Sequence, residues 1–197
     1  MMTTAYPVFR YDLDYDMRAA EAMAARLTPY IYETALYGPM PGDLPRLTIG
    51  GLLMRLNRLS AISDLLSLTQ RKALDTAKRQ FDAVRQEWAV AYEAKLKQEL
   101  PSRLKALEQF IADCEETPRL CADLYPSEIE KRVIVEALKD EAVARNALSP
   151  AARAKLSGID NHLHRSAQSS DSFIWDTRLE PAYPRDKFWF LYVAPNA

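Results

Sequence analysis

The chain of 197 residues is 48% hydrophobic and 27% charged, the balance of a folded globular chain rather than a disordered one. Its net charge of −1 gives no overall field to draw in nucleic acid or an anionic membrane. Of its five glycines, Gly38, Gly42, Gly50 and Gly51 are bunched together, which leaves little room elsewhere for phosphate-cradling loops or tight hairpins.

These limits predict an all-α fold in a single domain over 1–197, a helical bundle with a long antiparallel arm and an aromatic C-terminal strap. Charge is uneven along the chain. Residues 46–105 hold twelve basic and six acidic side chains, and residues 106–130 hold seven acidic and one basic. Neighbouring helices that compensate each other account for this.

Residues 1–11 read as an irregular aromatic lead-in. Asp12, Asp14 and Asp16 then precede the alanine-rich run MRAAEAMAARL, and acids in that position cap a helix and face the positive end of its dipole. A calcium loop would also begin with three alternating acids. It would need Gly and Glu where Met17 and Met23 stand, so capping is the better reading. Thr28-Pro29 predicts a kink or break, with helix resuming to about Tyr37.

The segment GPMPGDLPR, residues 38–46, is a loop. After it Ile49, Leu52, Leu53, Leu56, Leu59, Ile62, Leu65 and Leu66 recur at helical spacing. Arg55, Asn57, Arg58 and Asp64 interrupt that run, so it is amphipathic rather than membrane-spanning. Ser67 and Gln70 form a capping box that favours a turn near 67. Leu74, Ala77, Phe81, Val84, Trp88 and Ala91 then make a coiled-coil-like seam, with Phe81, Val84 and Trp88 expected to be buried.

The seam shifts to Tyr92, Leu96, Leu100, Leu104, Leu107, Ile111 and Cys114, and Pro101 predicts a kink within it. One helix over 69–116 would be about 72 Å long, which predicts a projecting arm within 67–116 or pairing with another chain.

Residues 115–126 read as a loop with one helical turn, and Ser127 with Glu130 as a second capping box. Ile129, Val133, Ile134, Ala137 and Leu138 give the next apolar face. A break follows at Asn146–Pro150. Ser149 with Pro150 then starts a last amphipathic helix that runs to about Gln168.

Candidate chemistry is sparse. Cys114 and Cys121 lack the partner pair of a zinc site, and a bridge between them would close only a short loop, so reduced thiols are expected. His162 and His164 point to different sides of a helix, while Asp160 and His164 are spaced to pair on its surface. No nucleophile sits in a recognisable motif, and neither metal nor cofactor is expected. Arg71, Lys72, Lys78, Arg79 and Arg85 could make a phosphate-binding stripe. Asp75 and Asp82 interrupt it in the manner of a solvated, salt-bridged face, so nucleic-acid binding is disfavoured.

The stretch from 171 to 197 differs in kind. It carries seven aromatic residues between Phe173 and Tyr192, including two of the three tryptophans. Such a strap either packs across the bundle, burying Phe173, Trp175, Phe188 and Trp189, or presents Trp175, Phe188, Trp189 and Tyr192 to a partner or ligand.

The sequence therefore favours a protein–protein interaction or scaffold role, with a protein partner or a second copy of the chain. A small-molecule-binding protein or enzyme with a helical pocket near the tail comes next, and a nucleic-acid accessory protein using 46–105 is third. The opening residues lack a basic stretch followed by an apolar core. No membrane association and a cytoplasmic location are expected.

Overall fold

The computed structural model describes residues 10–170 and 172–195 and shows an all-α protein. Its helices are α1 (Leu13–Tyr32), α2 (Ile49–Ala61), α3 (Leu68–Glu87), α4 (Ala89–Glu116), α5 (Pro118–Glu128), α6 (Glu130–Ala144) and α7 (Pro150–Ser166). Strand content among the described residues is one short antiparallel pair, β1 (Ala167–Ser169) with β2 (Val193–Pro195). No helix in the described residues is long and apolar enough to cross a membrane.

Local chemistry sets most helix ends. The Asp12 carboxylate accepts from the backbone of Tyr15 at the start of α1. Thr48 caps α2, and Ser149 caps α7 ahead of Pro150. Both halves of the Ser67–Gln70 capping box are made, so the chain turns near 67. α6 ends in a Schellman motif. Asn146 takes the left-handed conformation (φ 53°), and Ala147 N–H donates 2.7 Å to the Ala142 carbonyl.

Three helical expectations are corrected. α1 passes through Pro29 but stops at Tyr32 rather than Tyr37. The buried Lys95 ammonium donates to the carbonyls of Glu33 (2.5 Å) and Ala35 (2.8 Å), which draws this segment out of the helix. The 115–126 region is mostly helix, because Pro118 after Thr117 suits a first helical position. Ser127 is no cap. It lies inside α5, and its hydroxyl donates to the Leu124 carbonyl; only Ile129 separates α5 from α6.

Residues 69–116 do not form one continuous helix. The path from 69 to 116 breaks at Trp88, which leaves helical geometry, and the two halves then pack on different partners. α3 runs along α1, while α4 lies against α6 and α7. Phe81 and Val84 are buried as the seam predicts. Trp88 at the corner stays 38% exposed and meets Tyr32 edge-to-face at 5.6 Å. Pro101 sits within α4 without ending it.

Two contacts fix α2 in the centre. Both oxygens of the fully buried Glu99 accept from Gly50 N–H (3.2 and 3.1 Å), an anion at a helix N-terminus. Arg103 donates to Glu99 (3.3 Å) and to Thr48 Oγ (3.0 Å). Gly50 also lets α6 approach closely, because a Cβ there would lie 2.7 Å from Ile134 Cγ2 and Leu138 Cγ. Gly50→Ala should therefore destabilise the protein by about 1–3 kcal/mol in urea unfolding, despite alanine's better helix propensity. An unchanged or raised midpoint would show that the two helices can part at no cost.

Candidate functional site

The aromatic strap packs on the helices. β1 and β2 pair Ala167 with Pro195, Gln168 with Ala194 and Ser169 with Val193. Further hydrogen bonds, Ser170 N–H to the Tyr192 carbonyl and Ile174 N–H to the Leu191 carbonyl, fold the strap back on itself. Trp175 is buried, and its indole N–H donates 2.6 Å to the Pro126 carbonyl. Tyr125 donates to the Phe190 carbonyl from below (2.9 Å).

The four strap residues singled out from the sequence are not assembled into one surface. Trp175 and Tyr192 are interior, whereas Phe188 and Trp189 are half-buried. Trp175 and Phe188 each meet the ring of Tyr183, and Tyr192 meets Phe173. Trp189 faces elsewhere and stacks on His164 with ring centroids 3.6 Å apart.

Beneath the strap lies a charged cluster whose residues the sequence shows only as caps and as interruptions of an apolar face. Arg58 is buried under Trp175, Tyr11 and Tyr183, with its guanidinium carbon 5.6–5.7 Å from each ring centroid. Its Nε donates to the Tyr183 hydroxyl (2.6 Å), and its terminal nitrogens reach Asp16 (3.5 Å) and Glu130 (3.2 Å). Asp16 also pairs with Arg55 Nε (3.2 Å) and accepts from the Tyr11 hydroxyl (2.9 Å). Burial works against the charge on Arg58, but the Tyr183 oxygen, Asp16 and Glu130 outweigh it and raise its pKa further. The Tyr11 and Tyr183 hydroxyls are pushed up, chiefly by burial.

At the strap's edge, Asp176 accepts from Arg178 and from the Tyr11 backbone. The Arg178 side chain, with backbone N–H groups, holds its carboxyl down to about 2. These groups are committed to one another, and the network closes the fold.

The other sequence candidates are dispersed. Asp160 pairs with Arg132 through two bonds (2.9 and 3.0 Å) rather than with His164. Arg85 is shared by Asp82 and Glu141 (3.3 Å each), so the basic stripe on α3 is neutralised at that end.

An open space remains between α4, α5 and α7. It is a cavity of roughly 200 Å³ walled by Phe110, Ile111, Tyr125 and Leu163, with Ser166 and Ala167 at the end next to β1. At its rim His162 Nε2 lies 3.3 Å from the carboxylate of Glu115, which is largely exposed.

One wall of the cavity is a disulfide, Cys114–Cys121, and this corrects the expectation of two thiols. Residues seven apart on one continuous helix would be about 10 Å apart along its axis. The reversal at Thr117-Pro118 brings these two Cα atoms to 4.9 Å. The proline after a threonine was the available signal; nothing in the sequence announces the cavity.

On the other side of the disulfide is a wider, more open groove of roughly 440 Å³, lined by Gln109, Asp113, Glu128 and Lys131. Phe110 and the two sulfur-bearing residues face both spaces. Among the described residues no group of three His, Cys, Asp or Glu side chains is placed to hold a metal ion. Comparison of the chain with protein-family models, with curated proteins and with solved structures finds no match.

Proposed function

We propose that the protein binds a small, largely apolar molecule in the cavity between α4, α5 and α7. The cavity itself carries this reading. Its walls are apolar, its volume is in the range of a space that holds a benzene-sized molecule, and one imidazole–carboxylate pair at the rim can orient a polar substituent. The charged network under the strap does not compete as a site, because its charges already face opposite charges within the chain.

Calorimetric or NMR titration with benzene, indole and their hydroxylated derivatives tests this. Binding should saturate, and Ser166→Phe, which places a ring into the space from a half-buried position, should abolish it. Absence of binding at millimolar ligand, or binding that survives Ser166→Phe, would overturn the reading.

A second reading is an interaction protein whose docking surface lies at the α3–α4 corner. Tyr32 and Trp88 expose a paired aromatic edge there, next to Val90, which is 86% exposed. Trp88→Ala would then weaken self-association or partner binding without changing the fold. We further propose a cytoplasmic setting. In that compartment a disulfide is seldom a permanent brace.

A further inference from the structure

The Cys114–Cys121 bridge ties together the ends of two helices that already adjoin in sequence, so it anchors no distant element. Its position is otherwise unusual. Both cysteines line the apolar cavity on one side and the wider groove on the other, so the bridge stands between the two spaces. His162 lines the same cavity, with its Nε2 3.3 Å from the Glu115 carboxylate.

The two cysteines are not equivalent. Cys114 sits in the last turn of α4 and is half-buried; Cys121 is buried near the start of α5. A thiolate leaving from Cys121 faces the positive end of α5, whereas one leaving from Cys114 faces the negative end of α4.

We propose that Cys114–Cys121 is an exchange site for small thiols, which enter the α4–α5–α7 cavity and attack the sulfur of Cys114. The inference rests on the reading of that cavity as open to small molecules, though not on the identity of its ligand. The small thiol reacts as its thiolate, its proton having gone to solvent. The thiolate sulfur then bonds to Cys114 Sγ, the Sγ–Sγ bond breaks, and its electron pair leaves on Cys121 Sγ, which is reprotonated. A second thiol attacks the incoming sulfur of the mixed disulfide and expels Cys114 as a thiol. Two small thiols are thereby oxidised to one disulfide, and the protein disulfide is reduced by two electrons. The reverse sequence, with a small disulfide as oxidant, restores the bridge.

The test uses 2-mercaptoethanol on the folded, full-length oxidised protein, with acid quenching and peptide mass spectrometry. The mixed disulfide should appear on Cys114 at least about tenfold more than on Cys121, at a rate well above that of global unfolding. Cys121→Ser with 2-hydroxyethyl disulfide should capture the adduct on Cys114. Ser166→Phe should slow exchange in the otherwise native protein.

Reduction only at the unfolding rate, equal labelling of the two cysteines, or exchange indifferent to Ser166→Phe would each overturn the proposal. Exchange at Cys114 that Ser166→Phe blocks, in a protein that binds no apolar ligand, would remove the ligand reading and leave this one standing. Ligand binding with an inert disulfide would do the reverse.

Discussion

Truncation after Ser169 is expected to leave a chain that aggregates or lacks a cooperative melt. The strap contributes Trp175, Leu179, Tyr183, Phe190, Leu191 and Tyr192 to the core, each 5% exposed or less. Burying one large apolar side chain is worth about 1.5–3 kcal/mol, and a domain's net stability is about 5–15 kcal/mol. Several such losses exceed what the remaining helices hold in reserve.

The truncation also strips cover from charge. Arg58 loses Tyr183 and Trp175, and Arg132 loses Phe190, over which its guanidinium lies at 4.6 Å. Circular dichroism on heating, together with binding of a dye for exposed apolar surface, checks this. A truncated protein with a sharp melt within a few degrees of the full chain would show that the strap is an appendage.

The second large effect is expected from Asp16→Ala, which should cost about 3–5 kcal/mol in urea unfolding. One buried carboxylate faces both Arg55 and Arg58. Without it two guanidinium groups remain in the interior with Glu130 as the acid near one of them. A loss below about 1 kcal/mol would mean that water enters and screens the pair. The combined change of Asp16, Arg55 and Arg58 to apolar residues separates charge from shape. It should recover much of the loss, because exchanging a buried ion pair for packed apolar side chains is often neutral or stabilising.

What could be read from the sequence follows the range of the interactions involved. The Ser67–Gln70 box, the Ser149-Pro150 start and the Asn146 stop act within a few residues, and the structure places them where the sequence indicates. Trp88 carries no such signal. The chain breaks there because α3 is committed to α1 and α4 to α6 and α7, a choice made by distant partners.

Asp16 looked like one of three capping acids, and Arg55 and Arg58 looked like evidence of a polar face. Their meeting depends on the angle between α1 and α2, which spacing along one helix cannot give. The sequence leaves Trp175 between core and docking surface; the structure buries it, while the equally large Trp88 and Trp189 stay partly exposed. The cavity was not legible, since Phe110, Tyr125 and Leu163 look like ordinary core residues and an unfilled volume belongs to their arrangement rather than to any one of them.

The closure between Tyr11 and the strap bears on how the chain is made. Tyr11 N–H donates to Asp176, and Arg178 donates to the Tyr11 carbonyl, contacts 165 and 167 residues apart. Arg58 waits 125 residues for Tyr183. At ~5–20 residues per second a ribosome takes roughly 6–25 s to bridge that gap. Throughout this interval the first helices have Asp16 and both arginines in place but no lid over them. α3 can already lie along α1 at this stage, so only the face that the strap covers stays wet and available to holding chaperones. Closure of this charged network therefore comes late, after the strap has cleared the exit tunnel.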